Sequence, residues 1–70
     1  MSNQINFFFN GNEYYTKTLI TLEDLLYYFD YKSSIFVVEY NQFICNKNKW
    51  KNIKINPNDT IEIITIVGGG

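Results

Sequence analysis

Residues 5–19 have the sequence INFFFNGNEYYTKTL, in which Asn10-Gly11 separates two runs rich in aromatic and β-branched residues. Asn-Gly is the pair that a two-residue type I′ turn prefers, because both central residues of that turn need a positive φ angle. Aromatic and β-branched residues favour extended strands. The stretch therefore predicts an N-terminal β-hairpin with strands at Ile5–Phe9 and Glu13–Leu19.

An amphipathic helix is predicted directly after the hairpin. Thr21 is in the position of an N-cap, and Asp24, three residues later, can return the hydrogen bond as in a capping box. Four apolar residues then recur at i, i+3, i+4 and i+7, the spacing of one helix face. They are Leu22, Leu25, Leu26 and Phe29. We expect this face to lie in the core and the helix to end near Asp30–Ser33.

The second half of the chain predicts further strands and no second helix. The predicted strands are Ile35–Tyr40, a short Phe43–Cys45 after an Asn41-Gln42 turn, an edge strand Lys51–Ile55, and Thr60–Val67, which should be central. The segment Asn56–Asp59 contains Pro57 and predicts a turn. One helix among four to five strands indicates an α+β domain, with a single sheet covered by that helix on one face.

Composition and charge exclude several classes of protein. Seventy residues suffice for one domain, and the single cysteine, Cys45, cannot form an internal disulfide. The net charge of −1 argues against a nonspecific nucleic-acid binder. The apolar runs are too short for a membrane span or a secretory signal. The four lysines between Lys47 and Lys54 are interpreted as a solvated face, a phosphate-binding role being much less favoured.

The side chains predict no catalytic site. The chain has no histidine, and its acids are scattered over different elements, so no catalytic triad, metal site or cofactor site can be assembled. Cys45 has no neighbour in sequence that clearly lowers the pKa of its thiol, and a buried or half-buried structural role is favoured. Trp50 is interpreted as a core or lid aromatic residue.

The last predicted strand places apolar residues on the uncovered side of the sheet. Ile61 and Ile63 point to one side, whereas Glu62, Ile64 and Ile66 point to the other. Because Glu62 should face solvent, we expect Ile64 and Ile66 to be exposed there, and Phe8 is in the phase that can join them. Exposed apolar side chains next to a chain end indicate a docking surface for a partner. A register shifted by one residue would instead bury these isoleucines.

Three glycines, Gly68, Gly69 and Gly70, follow this strand directly. Glycine is costly to order and supplies no side-chain contact, so a frayed end is the simplest interpretation. A tail without Cβ atoms can, however, extend about 10 Å and enter a narrow channel in another protein. Its terminal carboxylate is ionised at neutral pH and can attack the α-phosphate of ATP. We predict one domain at 1–67 and a flexible tail at 68–70.

The sequence resembles the sulfur carrier proteins of thiamine biosynthesis, the ThiS family, over essentially its whole length. The segments that carry the resemblance are Asn10-Gly11, Thr21-Leu22-x-x-Leu25-Leu26, Val38-Glu39-Tyr40-Asn41 leading to Trp50, Pro57-x-Asp59-x-Ile61-Glu62-Ile63, and Ile66-Val67-Gly68-Gly69-Gly70. The resemblance implies a ubiquitin-like β-grasp fold with a mixed sheet. It also implies that Gly70 is adenylated by a ubiquitin-activating-type adenylyltransferase and converted to a thiocarboxylate, while Gly69 and Gly68 thread into partner enzymes.

The partners that the resemblance implies are that adenylyltransferase, a cysteine desulfurase system as sulfur donor, and thiazole synthase as sulfur acceptor. ATP is used by the activating enzyme, and this chain is a co-substrate that binds no cofactor of its own. The abundance of residues with AT-rich codons points to the cytoplasm of an AT-rich bacterium or to the plastid stroma.

Other interpretations remain open. A molybdopterin-synthase small subunit or a tRNA-thiolation carrier would share the fold and the Gly-Gly ending. A conjugated protein modifier is a less favoured possibility. A β-grasp interaction module without carrier chemistry belongs to a different functional class, and it predicts that Gly69 and Gly70 are dispensable.

Overall fold

A computed structural model of the chain describes residues 4–31 and 36–65. The elements are β1 (Ile5–Phe9), β2 (Asn12–Thr16), α1 (Leu22–Tyr28), β3 (Phe36–Tyr40), β4 (Phe43–Cys45), a 3₁₀ helix (Lys47–Asn52) and β5 (Thr60–Thr65). The strands form one sheet in the order β2-β1-β5-β3-β4. The β1–β5 pair is parallel and the other neighbouring pairs are antiparallel. The predicted α+β architecture is confirmed, with five strands and one α-helix in the described part of the chain.

The hairpin forms as predicted but its second strand is shorter. Asn10 and Gly11 have φ angles of 53° and 82°, which are the positive values that the type I′ turn requires. β2 ends at Thr16, before the predicted end at Leu19. The Thr16 hydroxyl accepts a hydrogen bond from the Thr18 backbone N–H at 3.2 Å, and this local turn leads the chain away from β1.

The helix α1 is capped at its N-terminus by side-chain hydrogen bonds and at its C-terminus by backbone hydrogen bonds. Thr21 Oγ1 accepts from the Asp24 N–H at 3.1 Å, and Asp24 Oδ2 accepts from the Thr21 N–H at 3.0 Å, which confirms the capping box. The helix ends at Tyr28, slightly before the predicted end. Asp30 is left-handed at φ 65° and donates to the Tyr27 carbonyl, which is the backbone conformation of a Schellman motif.

The core lies between α1 and one face of the sheet. The three helix leucines are almost fully buried, and Phe29 stacks on Phe9 with ring centroids 4.6 Å apart. Trp50 is buried as predicted, stacks on Phe36 at 5.7 Å, and donates from Nε1 to the Cys45 carbonyl. The buried hydrophobic residues are Phe7, Phe9, Leu22, Leu25, Leu26, Val38, Trp50, Ile55 and Ile61.

The predicted edge strand at Lys51–Ile55 is wrong. Its first residues belong to the 3₁₀ helix, which turns the indole of Trp50 into the core. The backbone of Ile53 accepts from Leu22 N–H and that of Ile55 donates to the Ile20 carbonyl. These residues therefore pair with the segment before α1 and not with the sheet. The isoleucines still point inward, since Ile55 is fully buried and Ile53 is half-buried.

β5 is central, as the sequence predicts. It follows a turn in which Asp59 N–H donates to the Asn56 carbonyl at 3.1 Å and Asn58 has a positive φ of 70°. Ile61 is fully buried and Ile63 packs against the core, whereas Glu62 and Ile64 are exposed. The predicted register of β5 is therefore correct. The predicted end of this strand, at Ile66 and Val67, and the predicted start of β3, at Ile35, lie outside the described residues.

Candidate functional site

The predicted site residues fall into two groups. Phe8 and Ile64 lie in the described part of the chain, on the sheet face opposite α1. Ile66 and the three glycines Gly68, Gly69 and Gly70 lie outside the described residues, as does the predicted domain boundary after Val67. The part of the candidate site that can be described is therefore the sheet face that carries Phe8 and Ile64.

Strand alternation and register define this face, which we call the open face. Successive side chains of a strand point to opposite sides, so the residues out of phase with the buried ones share the open face. Its members in the described chain are Asn6, Phe8, Glu13, Tyr15, Val37, Glu39, Ile44, Thr60, Glu62 and Ile64.

Apolar side chains form the part of the open face nearest the end of β5. Ile64 is 38% exposed and lies directly opposite Val37 on β3. Ile44, which is 60% exposed, extends this surface from the edge strand β4. Sequence reasoning missed Val37 and Ile44. The phase of each residue was visible within its predicted strand, but its place beside Ile64 depends on the order of the strands in the sheet.

Phe8 lies on the open face but away from Ile64. It pairs with Thr60 at the start of β5, which is four residues before Ile64. Four residues of a strand span about 13 Å, so the two side chains lie toward opposite ends of β5. The structure thus places both predicted docking residues on one face without bringing them into contact along the strand.

The charged residues of the open face are acidic. Glu39 on β3 lies directly opposite Glu62 on β5, an arrangement in which like charges repel. Glu13 accepts a hydrogen bond from the Asn6 side chain at 3.0 Å. No lysine is a member of the open face within residues 4–31 and 36–65. This surface therefore combines exposed apolar side chains with negative charge, and it suits a partner surface that is apolar and basic.

A buried carboxylate fixes the start of β5. Asp59 is 7% exposed and accepts hydrogen bonds from the Tyr40 hydroxyl at 2.5 Å, the Asn41 side chain at 3.0 Å and the Asn56 N–H at 2.7 Å. Asn41 Oδ1 in turn accepts from the Thr60 N–H at 2.9 Å. Burial, followed by the hydrogen bond and charge of Asp59, raises the pKa of Tyr40 to about 12. The network ties the turn before β5 to the end of β3.

The described residues outside the open face include the single cysteine of the chain and the lysine cluster. Cys45 is half-buried, and burial raises the pKa of its thiol, an effect that nearby Lys49 opposes. The thiolate, which is the reactive form, is thereby disfavoured. In the described ranges, no group of three or more His, Cys, Asp or Glu side chains could hold a metal ion. No helix in these ranges is long and apolar enough to span a membrane. Lys47, Lys49, Lys51 and Lys54 are all exposed.

Comparison with known proteins identifies the family. The model of the ThiS family matches residues 7–70, which is nearly the whole chain. The chain belongs to the ThiS family. A solved structure of the thiamine biosynthesis protein ThiS from Geobacter metallireducens superposes with a TM-score of 0.80, covers 94% of this chain and 100% of that chain, and is 19% identical. At that identity the likeness concerns the fold, and it confirms the β-grasp.

Relatives of this ThiS-family chain include proteins with two different names. A protein named ycf40 from Trieres chinensis is 64% identical over 64 residues, covering 91% of this chain and 88% of the relative. One of the same name from Porphyra purpurea is 36% identical over 61 residues, or 87% and 86% of the two chains. The sulfur carrier protein ThiS of Bacillus subtilis is 36% identical over 50 residues, covering 71% of this chain and 76% of the relative.

Proposed function

We propose that this protein is a sulfur carrier for thiazole formation in thiamine biosynthesis, working through a thiocarboxylate on Gly70. The observation that carries the proposal is the match to the ThiS family, because it extends through the C-terminal glycines to residue 70. The name of the Bacillus subtilis relative supports the same function. The chain acts as a protein co-substrate, and the enzymes that modify it supply the catalysis.

The proposed chemistry takes place at the terminal carboxylate of Gly70. A carboxylate is a poor acyl donor, and attack of its oxygen on the α-phosphate of ATP forms an acyl-adenylate and releases pyrophosphate. The terminal sulfur of a persulfide on the donor protein then attacks the carbonyl carbon of Gly70 and displaces AMP. A second thiol breaks the S–S bond of this intermediate, which forms a disulfide with the donor and leaves the thiocarboxylate on Gly70. Gly69 and Gly68 allow the chain end to enter a narrow channel, because they have no Cβ atoms.

The open face is the surface that we propose for docking to the activating enzyme. Ile64 supplies exposed apolar area near the end of β5, with the half-buried Val37 opposite it, and Glu39 and Glu62 supply negative charge beside them. Ile66 is two positions further along the sequence. An adenylyltransferase of the ubiquitin-activating type that presents an apolar and basic surface here would hold the C-terminal residues toward its active site. Phe8 would contribute only to a contact that reaches the start of β5.

We propose that the protein is located in the plastid stroma. The designation ycf is used for reading frames of plastid genomes, and three relatives carry it. The sulfur acceptor there would be thiazole synthase. The same thiocarboxylate could serve molybdopterin synthesis or tRNA thiolation, so the acceptor has to be tested separately from the loading of Gly70.

The test is the mass of the C-terminal tryptic peptide after incubation with ATP, the adenylyltransferase and a sulfur donor. Lys54 is the last basic residue of the chain, so trypsin releases residues 55–70 as one peptide. Replacing oxygen with sulfur changes the mass almost as one oxidation does, but this peptide contains neither methionine nor cysteine. A mass increase localised to Gly70 is therefore the expected sign of a thiocarboxylate.

A chain lacking Gly70 is the matched control, and we expect it to keep its fold and remain unmodified. Loading of the full chain, followed by sulfur transfer to thiazole synthase, would support the whole proposal. Loading of Gly70 without sulfur transfer to thiazole synthase would support carrier function but assign the protein to another pathway. An unmodified peptide, with the enzymes active on a known carrier, would contradict carrier function and favour an interaction module.

A further inference from the structure

The outer edge of β2 is a second surface with features of a binding site. β2 is the first strand in the sheet order, and among the described residues no strand pairs with the side of β2 that faces away from β1. Alternate residues of an antiparallel edge strand direct their N–H and C=O groups outward. Such an edge can accept another extended chain through backbone hydrogen bonds.

The sequence of β2 lacks the usual obstacles to strand addition. Natural edge strands commonly carry proline, lysine or a bulge, which prevent pairing with other chains. Asn12–Thr16 has the sequence NEYYT, with no proline, glycine or lysine, and all five residues pair with β1 in an unbroken register. Glu13 is the one charged residue in it, and it lies on the open face. The edge is therefore available for backbone pairing along its length.

An apolar groove of about 470 Å³ lies beside this edge, between β2 and α1. Its inner surface includes Phe7 and Leu25, which belong to the core, and Tyr14 and Phe29 form a T-shaped pair with centroids 5.2 Å apart. Tyr28 lies at its rim with 82% of its surface exposed. A strand paired with β2 would place alternate side chains over this groove.

The end of the groove near the start of α1 is acidic and aromatic. Asp24 and Tyr28 line the groove and also a neighbouring depression that includes Glu23 and Tyr27. No lysine lines either concavity in the described chain. Carboxylates attract a basic side chain, and tyrosine rings offer it a cation–π contact. The charge of this end therefore selects a segment that carries lysine or arginine next to its apolar residues.

We propose that β2 and the adjacent groove bind an extended segment of a partner protein, which adds to the sheet as a sixth strand. The segment places alternating apolar side chains in the groove and a basic side chain beside Glu23 and Asp24. This surface lies at the opposite edge of the sheet from β4 and does not include Ile64 or Val37. Among the described members of the open face, only Tyr15 also lines this groove. The groove can therefore be occupied while Ile64 and Val37 remain accessible, and the proposal does not depend on sulfur carriage.

The test uses the full chain labelled with ¹⁵N and a synthetic heptapeptide in which isoleucine alternates with threonine between two terminal lysines. We expect amide chemical shifts to change within Asn12–Thr16 and along α1, and amide exchange in β2 to slow. A peptide with glutamate in place of both lysines should bind about tenfold more weakly, because its charges repel Glu23 and Asp24.

The variants separate this surface from the rest of the molecule. Tyr28→Lys should weaken binding of the lysine peptide by about tenfold, because it removes the aromatic rim and places a positive charge there that repels the basic side chain of the peptide. Ile44→Lys, which places the same charge at an exposed apolar position of the open face, should leave binding unchanged. Both side chains are largely exposed, and an unchanged amide spectrum away from the substitution checks that each variant is folded.

Three results would overturn the proposal. The first is an absence of shift changes in β2 at millimolar peptide, and the second is a set of changes centred on Val37, Ile44 and Ile64. The third is a concentration-dependent change of the β2 amides without peptide, together with a doubled mass in light scattering. That last result would identify a second copy of this chain as the occupant of the edge.

Discussion

The two ends of β5 differ in how they are held. At the Thr60 end, the buried carboxylate of Asp59 accepts three hydrogen bonds, and Asn41 holds the Thr60 N–H. Toward the Thr65 end, Ile64 and Glu62 are exposed, and the chain continues toward the glycines. One central strand thus joins a fixed polar network to a surface that no described residue covers.

The difference teaches that stability and function can be separated along a single strand. Substitutions at the Asp59 network should lower the free energy of unfolding, because they remove part-buried hydrogen bonds to the buried carboxylate. Substitutions at the exposed end should change partner binding and leave unfolding almost unchanged, because few contacts within the chain are lost. This separation holds only if variants at the Thr60 end change the free energy of unfolding and variants at the Thr65 end change partner binding.

The largest effect on stability is expected from Asp59→Ala. The change leaves the Tyr40 hydroxyl, the Asn41 side-chain amide and the Asn56 N–H without their acceptor. We expect the free energy of unfolding to fall by about 3 kcal/mol, which is a large fraction for a domain of this size. Urea unfolding followed by circular dichroism measures it.

The Asp59→Asn variant is the matched control, because it keeps one oxygen acceptor in nearly the same shape. Its loss should be smaller than that of Asp59→Ala. At a temperature where both variants are folded, loading of Gly70 should proceed at the normal rate. An unchanged urea midpoint for Asp59→Ala would show that the network does not anchor β5.

The next effect concerns the exposed end, and the variant is Ile64→Asp. A carboxylate at the centre of the apolar part of the open face should raise the KM for activation by about tenfold, because it must be desolvated on docking. The urea midpoint should change little, since Ile64 is already 38% exposed. Initial rates of pyrophosphate release at varied carrier concentration measure the KM.

Phe43→Asp is the control for that variant. Phe43 is 77% exposed on β4, but it is in phase with Tyr40 and therefore outside the open face. Its substitution should leave the KM unchanged. If Ile64→Asp unfolded the chain, the residue would be part of the core and the assignment of the open face would be wrong.

The sequence was sufficient for the elements that local chemistry specifies. The Asn10-Gly11 turn, the Thr21 and Asp24 capping box and the phase of β5 each depend on residues close in sequence, and all three are confirmed. The prediction of an edge strand at Lys51–Ile55 was wrong, because alternation of apolar and polar residues cannot distinguish a sheet strand from an extended segment that pairs elsewhere. Burial of Trp50 and pairing with the segment before α1 determined that conformation, and both depend on tertiary contacts.

The candidate site was predictable in position but not in extent. The phase of β5 identified Ile64, whereas Val37 and Ile44 join it only through strand order, which places β3 and β4 beside β5. The groove between β2 and α1 depends on how the helix crosses the sheet, and no local pattern specifies that. The Asp59 network joins residues that are 18 and 19 positions apart, so its partners were not visible in sequence.

A smaller effect on stability should appear in the pH dependence of the urea midpoint, through ionisation of Tyr40. The pKa of its hydroxyl is raised to about 12 in the folded chain, against an ordinary value of 10.0. Since the folded pKa is the higher one, the stabilisation is complete below the unfolded pKa and is lost as the pH rises through the folded pKa. The urea midpoint should therefore fall between about pH 10 and about pH 12.

In Tyr40→Phe, the fall of the midpoint in that pH window should be smaller, because the group that ionises is absent. Tyr27→Phe, which changes a tyrosine that is 73% exposed, is the control and should behave as the unmodified chain does. Parallel midpoint curves for all three proteins would show that the hydrogen bond between Tyr40 and Asp59 contributes no pH-dependent stability.

The smallest effect is expected from Glu62→Gln on the open face. Glu39 and Glu62 lie directly opposite each other on neighbouring strands, so removing one charge removes a repulsion. The free energy of unfolding should rise by about 0.3 kcal/mol at low salt, and the gain should disappear at high salt because exposed charges are screened. The same variant should bind its activating enzyme more weakly if that enzyme presents a basic surface.

Glu23→Gln removes the same charge from the first turn of α1, where the helix dipole favours an acid, and it should lower stability instead. Opposite signs for the two variants would show that Glu62 is unfavourable for folding and is retained on the open face for another reason. Association rates with the activating enzyme should be measured at several salt concentrations. If only Glu62→Gln slows association, docking is the reason that Glu62 is retained. Equal effects of both substitutions on stability and on docking would mean that net charge, and not the position of Glu62 at the exposed end of β5, determines the result.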